Sequence, residues 1–108
     1  METVIGIDIG TQSTKALVLD GNGRILAEHS RGYRVDTPHP LWAEQWPDVW
    51  WEAVLGCLSA CLSTPGINPR DVKGLCVSSL YGGSGIPVDA DIRPLYPCLI
   101  WMDRRAEA

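Results

Sequence analysis

Hydrophobic and polar residues alternate along the first thirty positions of the chain. Within residues 4–9 the three isoleucines fall on one face and the intervening residues on the other, as in a half-buried strand. Residues 15–19 and 24–30 give two more strand-like runs. The segment between them, Asp-Gly-Asn-Gly at residues 20–23, contains Asn and Gly, which tolerate the positive φ that tight hairpin turns require. The pattern predicts an antiparallel meander of three strands.

The spacing of apolar residues becomes helical after a loop rich in Pro and Trp over residues 36–46. Pro47 suits the first helical turn, where its missing N–H is not needed, and Pro65 with Gly66 ends the helix. The stripe predicted to face the core consists of Trp51, Val54, Leu55, Leu58, Cys61 and Leu62.

Shorter elements are predicted beyond this helix. Residues 72–79 have the continuous apolar character of a buried strand, residues 86–89 suggest another strand, and residues 89–93 a turn. Residues 99–101 close the apolar pattern before a charged segment that resembles the start of a helix. Together the elements predict an α/β fold with a mixed sheet.

Composition narrows the class of protein. A chain of 108 residues has room for one small core. With 45% hydrophobic and 20% charged residues it is neither disordered nor fibrous. A net charge of −4 and the lack of a long apolar run predict neither a nucleic-acid nor a membrane partner. The N-terminus enters a strand pattern without a basic region, so no signal peptide is expected and the predicted location is cytoplasmic.

The positions of the four cysteines are consistent with a cytoplasmic location. They form no Cys-x-x-Cys pair, and each lies in an apolar helical or strand-like run, which disfavours both a zinc site and a disulfide framework. All four, Cys57, Cys61, Cys76 and Cys98, are therefore predicted to be reduced thiols of the core.

The segment with the clearest chemistry follows the first strand. A carboxylate ends the strand, a glycine forms a turn, polar side chains follow, and a lysine comes next. Amides and hydroxyls at such a turn can donate to phosphate oxygens, lysine adds positive charge, and a carboxylate suits Mg²⁺. The alternative is an ordinary hairpin whose Asp and Thr only shape the turn. The residues concerned are Asp8, Gly10, Thr11, Gln12, Ser13 and Lys15.

This segment resembles the first phosphate motif of the superfamily that contains sugar kinases, actin and heat-shock chaperones. The whole chain is similar to the N-terminal part of the FGGY family of carbohydrate kinases, especially its xylulokinase-like members. Residues 40–51 resemble the entry to the family's first long helix, and residues 72–79 the strand before its sugar-binding loop. Residues 93–105 resemble the strand that ends in its Trp-x-Asp-x-Arg-type signature.

The resemblance implies a ribonuclease-H-like, actin-like ATPase fold with ATP and sugar between two domains. Residues 1–108 would be the N-terminal portion of the first domain, with the rest of that domain, the second domain and the general-base aspartate beyond Ala108. The complete protein would be a kinase that transfers the ATP γ-phosphoryl group to a sugar hydroxyl, with a homodimer as its expected assembly. This chain alone would be inactive.

The family's site residues carry over to matching positions. Asp8 would bind the Mg²⁺ of Mg-ATP, and Gly10, Thr11, Gln12 and Ser13 would face the phosphates with Lys15 nearby. On the sugar side the resemblance implies a set of four residues, Tyr81, Gly82, Trp101 and Asp103.

Two departures from the xylulokinase pattern affect the substrate and the helix. Residues 79–85 lack the histidine that contacts the sugar there, so the sugar is not specified, although a pentulose such as xylulose is the expectation. Trp46 replaces the usual Asp at the helix N-cap, a loss of about 1 kcal/mol if nothing replaces the cap. The alternatives are another ATPase of the actin-like superfamily and a non-catalytic remnant that binds a partner.

The remaining aromatic and charged residues have structural interpretations. The large apolar area of each tryptophan assigns packing roles to Trp42, Trp46, Trp50 and Trp51. The charges at residues 103–105 would form a local set of ion pairs, of little energetic value if exposed.

Overall fold

The computed structural model describes residues 1–79 and 85–107. Within these ranges the chain forms six β-strands and one α-helix. Short 3-10 turns lie at Pro69–Asp71 and Arg105–Glu107. The elements in chain order are β1 (Thr3–Ile9), β2 (Ser13–Asp20), β3 (Ile25–Gly32), β4 (Glu44–Gln45), α1 (Pro47–Leu62), β5 (Val72–Ser78) and β6 (Cys98–Leu99).

The predicted meander is confirmed. The main sheet has the order β3-β2-β1-β5, in which the first three strands pair antiparallel and β5 joins β1 in parallel. Ile5 and Ile7 are buried while Val4 and Asp8 face outward, as the alternation predicted. Gly23, with φ of +79°, takes the left-handed position in the β2–β3 turn. The Asp20 carboxylate accepts two backbone N–H bonds within this turn, which lowers its pKa.

Helix α1 covers β2 and β3 with a face that agrees with the predicted stripe at Val54, Leu58, Cys61 and Leu62 but not at two other positions. Its buried residues are Ala53, Val54, Cys57 and Cys61, whereas Trp51 is 62% exposed and Leu55 is also exposed. Small side chains allow the helix to lie close to the sheet, and this turns the bulky Trp51 outward. The inclusion of Trp51 and Leu55 in the core stripe was therefore wrong.

The buried thiols show how close the helix lies. Cys57 Sγ is 3.5 Å from the carbonyl oxygen of Thr14, and Cys61 Sγ is 3.5 Å from that of Ala16. Burial raises the pKa of both thiols, which keeps them protonated and able to donate. At the start of the helix, Pro47 occupies the first turn as predicted, and Trp46 provides no side-chain cap.

Strand β5 is exposed, in contrast to the predicted buried strand. It lies at one end of the sheet, where α1 does not cover it among the described residues. Leu75 and Val77 are consequently exposed, and so is Cys76. The prediction of four core thiols is therefore wrong for Cys76, while the other three are buried.

A second, smaller core forms beside the sheet. It contains Ala43, Cys98 and Ile100, with Trp50 packed against it. Strands β4 and β6 pair antiparallel here, so the segment predicted as an uninterrupted loop contains a short strand. The strand predicted at residues 86–89 is reduced to a single bridge from Val88 to Pro94, whereas the turn at 89–93 is confirmed. In place of the helix start at 103–105 the chain forms the 3-10 turn at Arg105–Glu107.

None of the helices in residues 1–79 and 85–107 has the length and apolar character needed to cross a membrane.

Candidate functional site

The turn between β1 and β2, residues 10–13, is the centre of the candidate site. The Gly10 N–H donates to the Ser13 carbonyl oxygen at 2.8 Å and closes the turn. A Cβ at Gly10 would lie 3.0 Å from that same oxygen, so a larger residue would push the turn apart. Asp8 and Lys15 are cross-strand partners just before and after the turn, and both side chains are exposed. Lys15 Nζ also lies 3.3 Å from Glu28 Oε1 on β3.

Tyr33, just after β3, supports this turn from one side. Its hydroxyl donates to the Gly10 carbonyl oxygen and accepts from the Thr14 hydroxyl at 3.0 Å, and its backbone N–H donates to the Gln12 carbonyl oxygen at 2.9 Å. Burial raises the pKa of Tyr33, so the phenol keeps the proton that it donates to Gly10.

Gln45 on β4 supports the turn from a second side. Its side chain is 1% exposed, and Nε2 donates to the carbonyl oxygens of Thr11 at 2.7 Å and Arg34 at 3.1 Å. Trp50 of α1 donates its indole N–H to Gln45 Oε1 at 3.0 Å. The amide therefore uses both of its N–H donors and its oxygen inside the protein. Gln45 and Tyr33 were missed from the sequence, where no motif or spacing distinguishes them.

Trp101 provides a third contact. Its indole N–H donates to the Thr11 hydroxyl at 2.9 Å, although the side chain is 55% exposed. The residue predicted to face the sugar thus lies directly against the residue predicted to face the phosphates.

A partly buried ion cluster anchors the segment that carries Trp101. Asp103 accepts a hydrogen bond from the Ala43 N–H at 2.8 Å and binds Arg105 with both carboxylate oxygens. Arg105 also reaches Glu44 at 2.7 Å and lies over the Trp42 ring, 3.8 Å from its centroid. The side chains of Asp103 and Arg105 are 7% and 19% exposed. The predicted local ion pair is therefore present between Asp103 and Arg105, and long-range packing largely encloses it.

The Asp103 cluster gives a test by pH. The Arg105 guanidinium lowers the pKa of the Asp103 carboxyl to about 2, from an ordinary value of 3.8. Between these values the unfolded chain binds the proton more readily, so acid favours unfolding. We expect the free energy of unfolding to fall as the pH is lowered from about 4 to about 2, and to fall less in Asp103→Asn. Urea titrations across this interval measure the two slopes.

The Asp91→Asn variant is the matched control for that experiment, since the Asp91 carboxylate forms a solvent-exposed ion pair with Arg93. Its slope should equal that of the wild type. Equal slopes for the wild type and Asp103→Asn would contradict the role assigned to the cluster.

The remaining predicted site residues are placed only in part. Ser78, the last residue of β5, lies opposite Asp8, so the chain leaves the sheet next to the candidate turn. Tyr81 and Gly82 lie outside the described residues. Within the described ranges, no group of three or more His, Cys, Asp and Glu side chains is arranged to hold a metal ion.

Comparison with known proteins identifies the family. Residues 3–108 match the model of the FGGY family of carbohydrate kinases, N-terminal domain. The chain is 37% identical over 101 residues to the xylulose kinase of Klebsiella pneumoniae, covering 94% of this chain and 20% of that protein. It is 30% identical over 105 residues to the glycerol kinase of Citrifermentans bemidjiense, covering 97% of this chain and 21% of that protein.

Comparison with solved structures supports the same family. The crystal structure of xylulose kinase from Rhodospirillum rubrum superposes with a TM-score of 0.85 at 31% identity, covering 96% of this chain and 21% of that one. This confirms the predicted actin-like ATPase fold, with its mixed sheet that begins as a three-strand meander. The chain spans about a fifth of the length of the relatives it matches. On the family match and this fold, the chain belongs to the FGGY family of carbohydrate kinases.

Proposed function

We propose that the complete protein is an ATP-dependent carbohydrate kinase, and that residues 1–108 are the N-terminal portion of its first domain and form its phosphate-binding turn. The observation that carries the proposal is the turn at residues 10–13. Three side chains, Tyr33, Gln45 and Trp101, hold it through long-range hydrogen bonds, while Asp8 and Lys15 stand exposed at its edge. The rest of the first domain, the second domain and the general base would come from outside this chain.

The turn has suitable chemistry for phosphate. Backbone amides and the hydroxyls of Thr11 and Ser13 are donors to phosphate oxygens, and the exposed Gln12 amide adds two more. Lys15 supplies positive charge and also forms an ion pair with Glu28. Phosphoryl transfer depends mainly on holding the phosphates in position and neutralising their charge. A turn held in place by the protein's own hydrogen bonds meets the first of these requirements.

Asp8 fits the role of the Mg²⁺ ligand. Its carboxylate is exposed at the end of β1 and makes no ion pair with another described residue. Magnesium in kinases takes one or two protein carboxylates together with phosphate oxygens and waters, and Asp8 offers one. The bound ion would neutralise charge that develops on the phosphates during transfer.

The sugar would lie on the side of Trp101. Its half-exposed indole offers an apolar face to sugar C–H groups, and Asp103 follows two residues later. Tyr81 and Gly82 stay candidates for the sugar side on the resemblance to the family's sugar-binding loop alone, since both lie outside the described residues. Both carboxylate oxygens of Asp103 bind Arg105, which favours an indirect role for this residue. Similarity to xylulose kinases supports a pentulose such as xylulose as the sugar.

The proposal places the protein in the cytoplasm.

The test is ADP release by the complete gene product across a panel of ketoses, aldoses and polyols, with xylulose and glycerol included. We expect a pentulose to raise ADP release well above the rate without sugar. Glycerol as the preferred substrate would retain the kinase and overturn the choice of sugar. A flat panel from a folded protein that binds Mg-ATP would overturn the kinase and favour an ATPase switch, and a protein that binds no nucleotide would favour a non-catalytic remnant.

A further inference from the structure

The hydrogen bond from Trp101 to Thr11 joins residues that are 90 positions apart in the chain. An indole N–H is only a donor, so the Thr11 hydroxyl must accept. A hydroxyl that accepts this bond still has its own proton to donate. The contact therefore fixes one lone pair of Thr11 and leaves its O–H available to another acceptor.

Both partners of this contact are held by further hydrogen bonds. The Thr11 carbonyl oxygen accepts from the buried Gln45 amide at 2.7 Å. Next to Trp101, Ile100 is buried and donates its N–H to the Ala43 carbonyl oxygen at 3.2 Å, and Asp103 donates its N–H to the Ile100 carbonyl oxygen at 2.9 Å. Both supports come from residues 43–45, since Gln45 belongs to β4 and β4 pairs with β6 just before Ile100. The backbones of Thr11 and of the Trp101 segment are therefore fixed without the indole bond. The hydrogen bond from Trp101 thus restricts the Thr11 side chain more than it holds the Thr11 backbone.

We propose that Trp101 is a positioning residue for Thr11: its N–H orients the Thr11 hydroxyl for donation to a nucleotide phosphate, and this couples the sugar side to the phosphate side. The inference rests on the proposed kinase function. A sugar packed against the indole restrains Trp101 and so restrains Thr11. By thermodynamic reciprocity, ATP bound at the turn then favours sugar binding to the same degree.

A double-mutant cycle in the complete gene product tests the coupling. Trp101→Phe keeps an aromatic face and loses the N–H, Thr11→Val keeps the shape and loses the hydroxyl, and Thr11→Ser keeps the hydroxyl. We expect Trp101→Phe to lower kcat/KM for ATP about tenfold in the wild-type and Thr11→Ser backgrounds, and to change it less than about twofold in Thr11→Val. The affinity for ATP, measured calorimetrically with and without sugar, should lose its dependence on sugar in Thr11→Val.

A second readout needs no activity. In the substrate-free protein with ¹⁵N-labelled tryptophan, the indole signal that disappears in Trp101→Phe belongs to Trp101. It should shift in Thr11→Val and stay near its wild-type position in Thr11→Ser. Thermal unfolding should show that all variants fold, because the contact lies at an exposed site.

The outcomes separate this inference from the proposed function. An active wild type in which the two substitutions act additively overturns the coupling alone, and so does an unshifted indole signal in Thr11→Val. A wild type that releases no ADP with any sugar overturns the proposed function, and the inference with it.

Discussion

Replacing Asp8 by Asn in the complete gene product is expected to lower kcat about 100-fold or more and to leave the fold intact. The substitution keeps the shape of the side chain and removes the charge that would hold Mg²⁺ beside the phosphates. Loss of one electrostatic contact that acts in the transition state typically costs two to three orders of magnitude in rate, that is about 100- to 1,000-fold. Asp8 is exposed, so its removal should change the free energy of unfolding by less than about 0.5 kcal/mol.

The measurement is steady-state ADP release at saturating sugar over a Mg²⁺ titration. Asp91→Asn is the matched control, since it removes an exposed carboxylate that lies in the loop at residues 89–93 and forms an ion pair with Arg93. Its kcat should equal that of the wild type. Unchanged activity in Asp8→Asn would contradict the Mg²⁺ role.

Replacing Gln45 by Leu is expected to reduce the free energy of unfolding by about 2–4 kcal/mol. Leucine fills most of the space but leaves the carbonyl oxygens of Thr11 and Arg34 and the indole N–H of Trp50 without their partner. An unpaired group costs about 1–3 kcal/mol where water cannot reach it and less where it is partly exposed, and apolar burial of the leucine offsets part of the total. Because a domain is stable by only about 5–15 kcal/mol, this is a large fraction.

Urea unfolding of the same protein measures this effect. Trp50→Phe removes one of the three hydrogen bonds and should give a smaller loss of unfolding free energy. Gln12→Leu alters an exposed amide of the same turn and should change that free energy by less than about 0.5 kcal/mol. If Gln45→Leu were as stable as Gln12→Leu, the buried amide would not support the turn. The affinity for ATP should fall in Gln45→Leu, because Thr11 loses its support.

Local signals in the sequence were enough for the meander and for the location of the candidate turn. Period-two alternation set the faces of β1, and Asp8, Gly10 and Lys15 could be placed together because a short turn keeps its flanking residues close. Their roles in catalysis stay predictions. The supports of the turn could not be found in this way, since the bonds from Tyr33, Gln45 and Trp101 depend on how distant segments pack.

Burial was predictable only where the neighbouring element could be inferred. Residues 72–79 have the composition of a buried strand, but exposure of β5 depends on what packs beside it. The buried face of α1 was misjudged because a stripe drawn through the largest apolar residues includes Trp51, whereas close contact with the sheet selects small residues such as Ala53 and Cys57. The ion cluster at Asp103 was judged from adjacent charges, although Glu44 comes from 61 positions away from Arg105.

The position of β5 has a consequence for the behaviour of this chain in solution. Among the described residues β5 pairs only with β1, so its outer side presents backbone donors and acceptors available to another chain. Val4, Leu75 and Val77 make the adjoining surface apolar. Such an edge is a template for intermolecular strand addition. At high protein concentration, β5 strands of separate copies would therefore pair and form extended sheets. An added strand or a covering segment would protect the chain from aggregation.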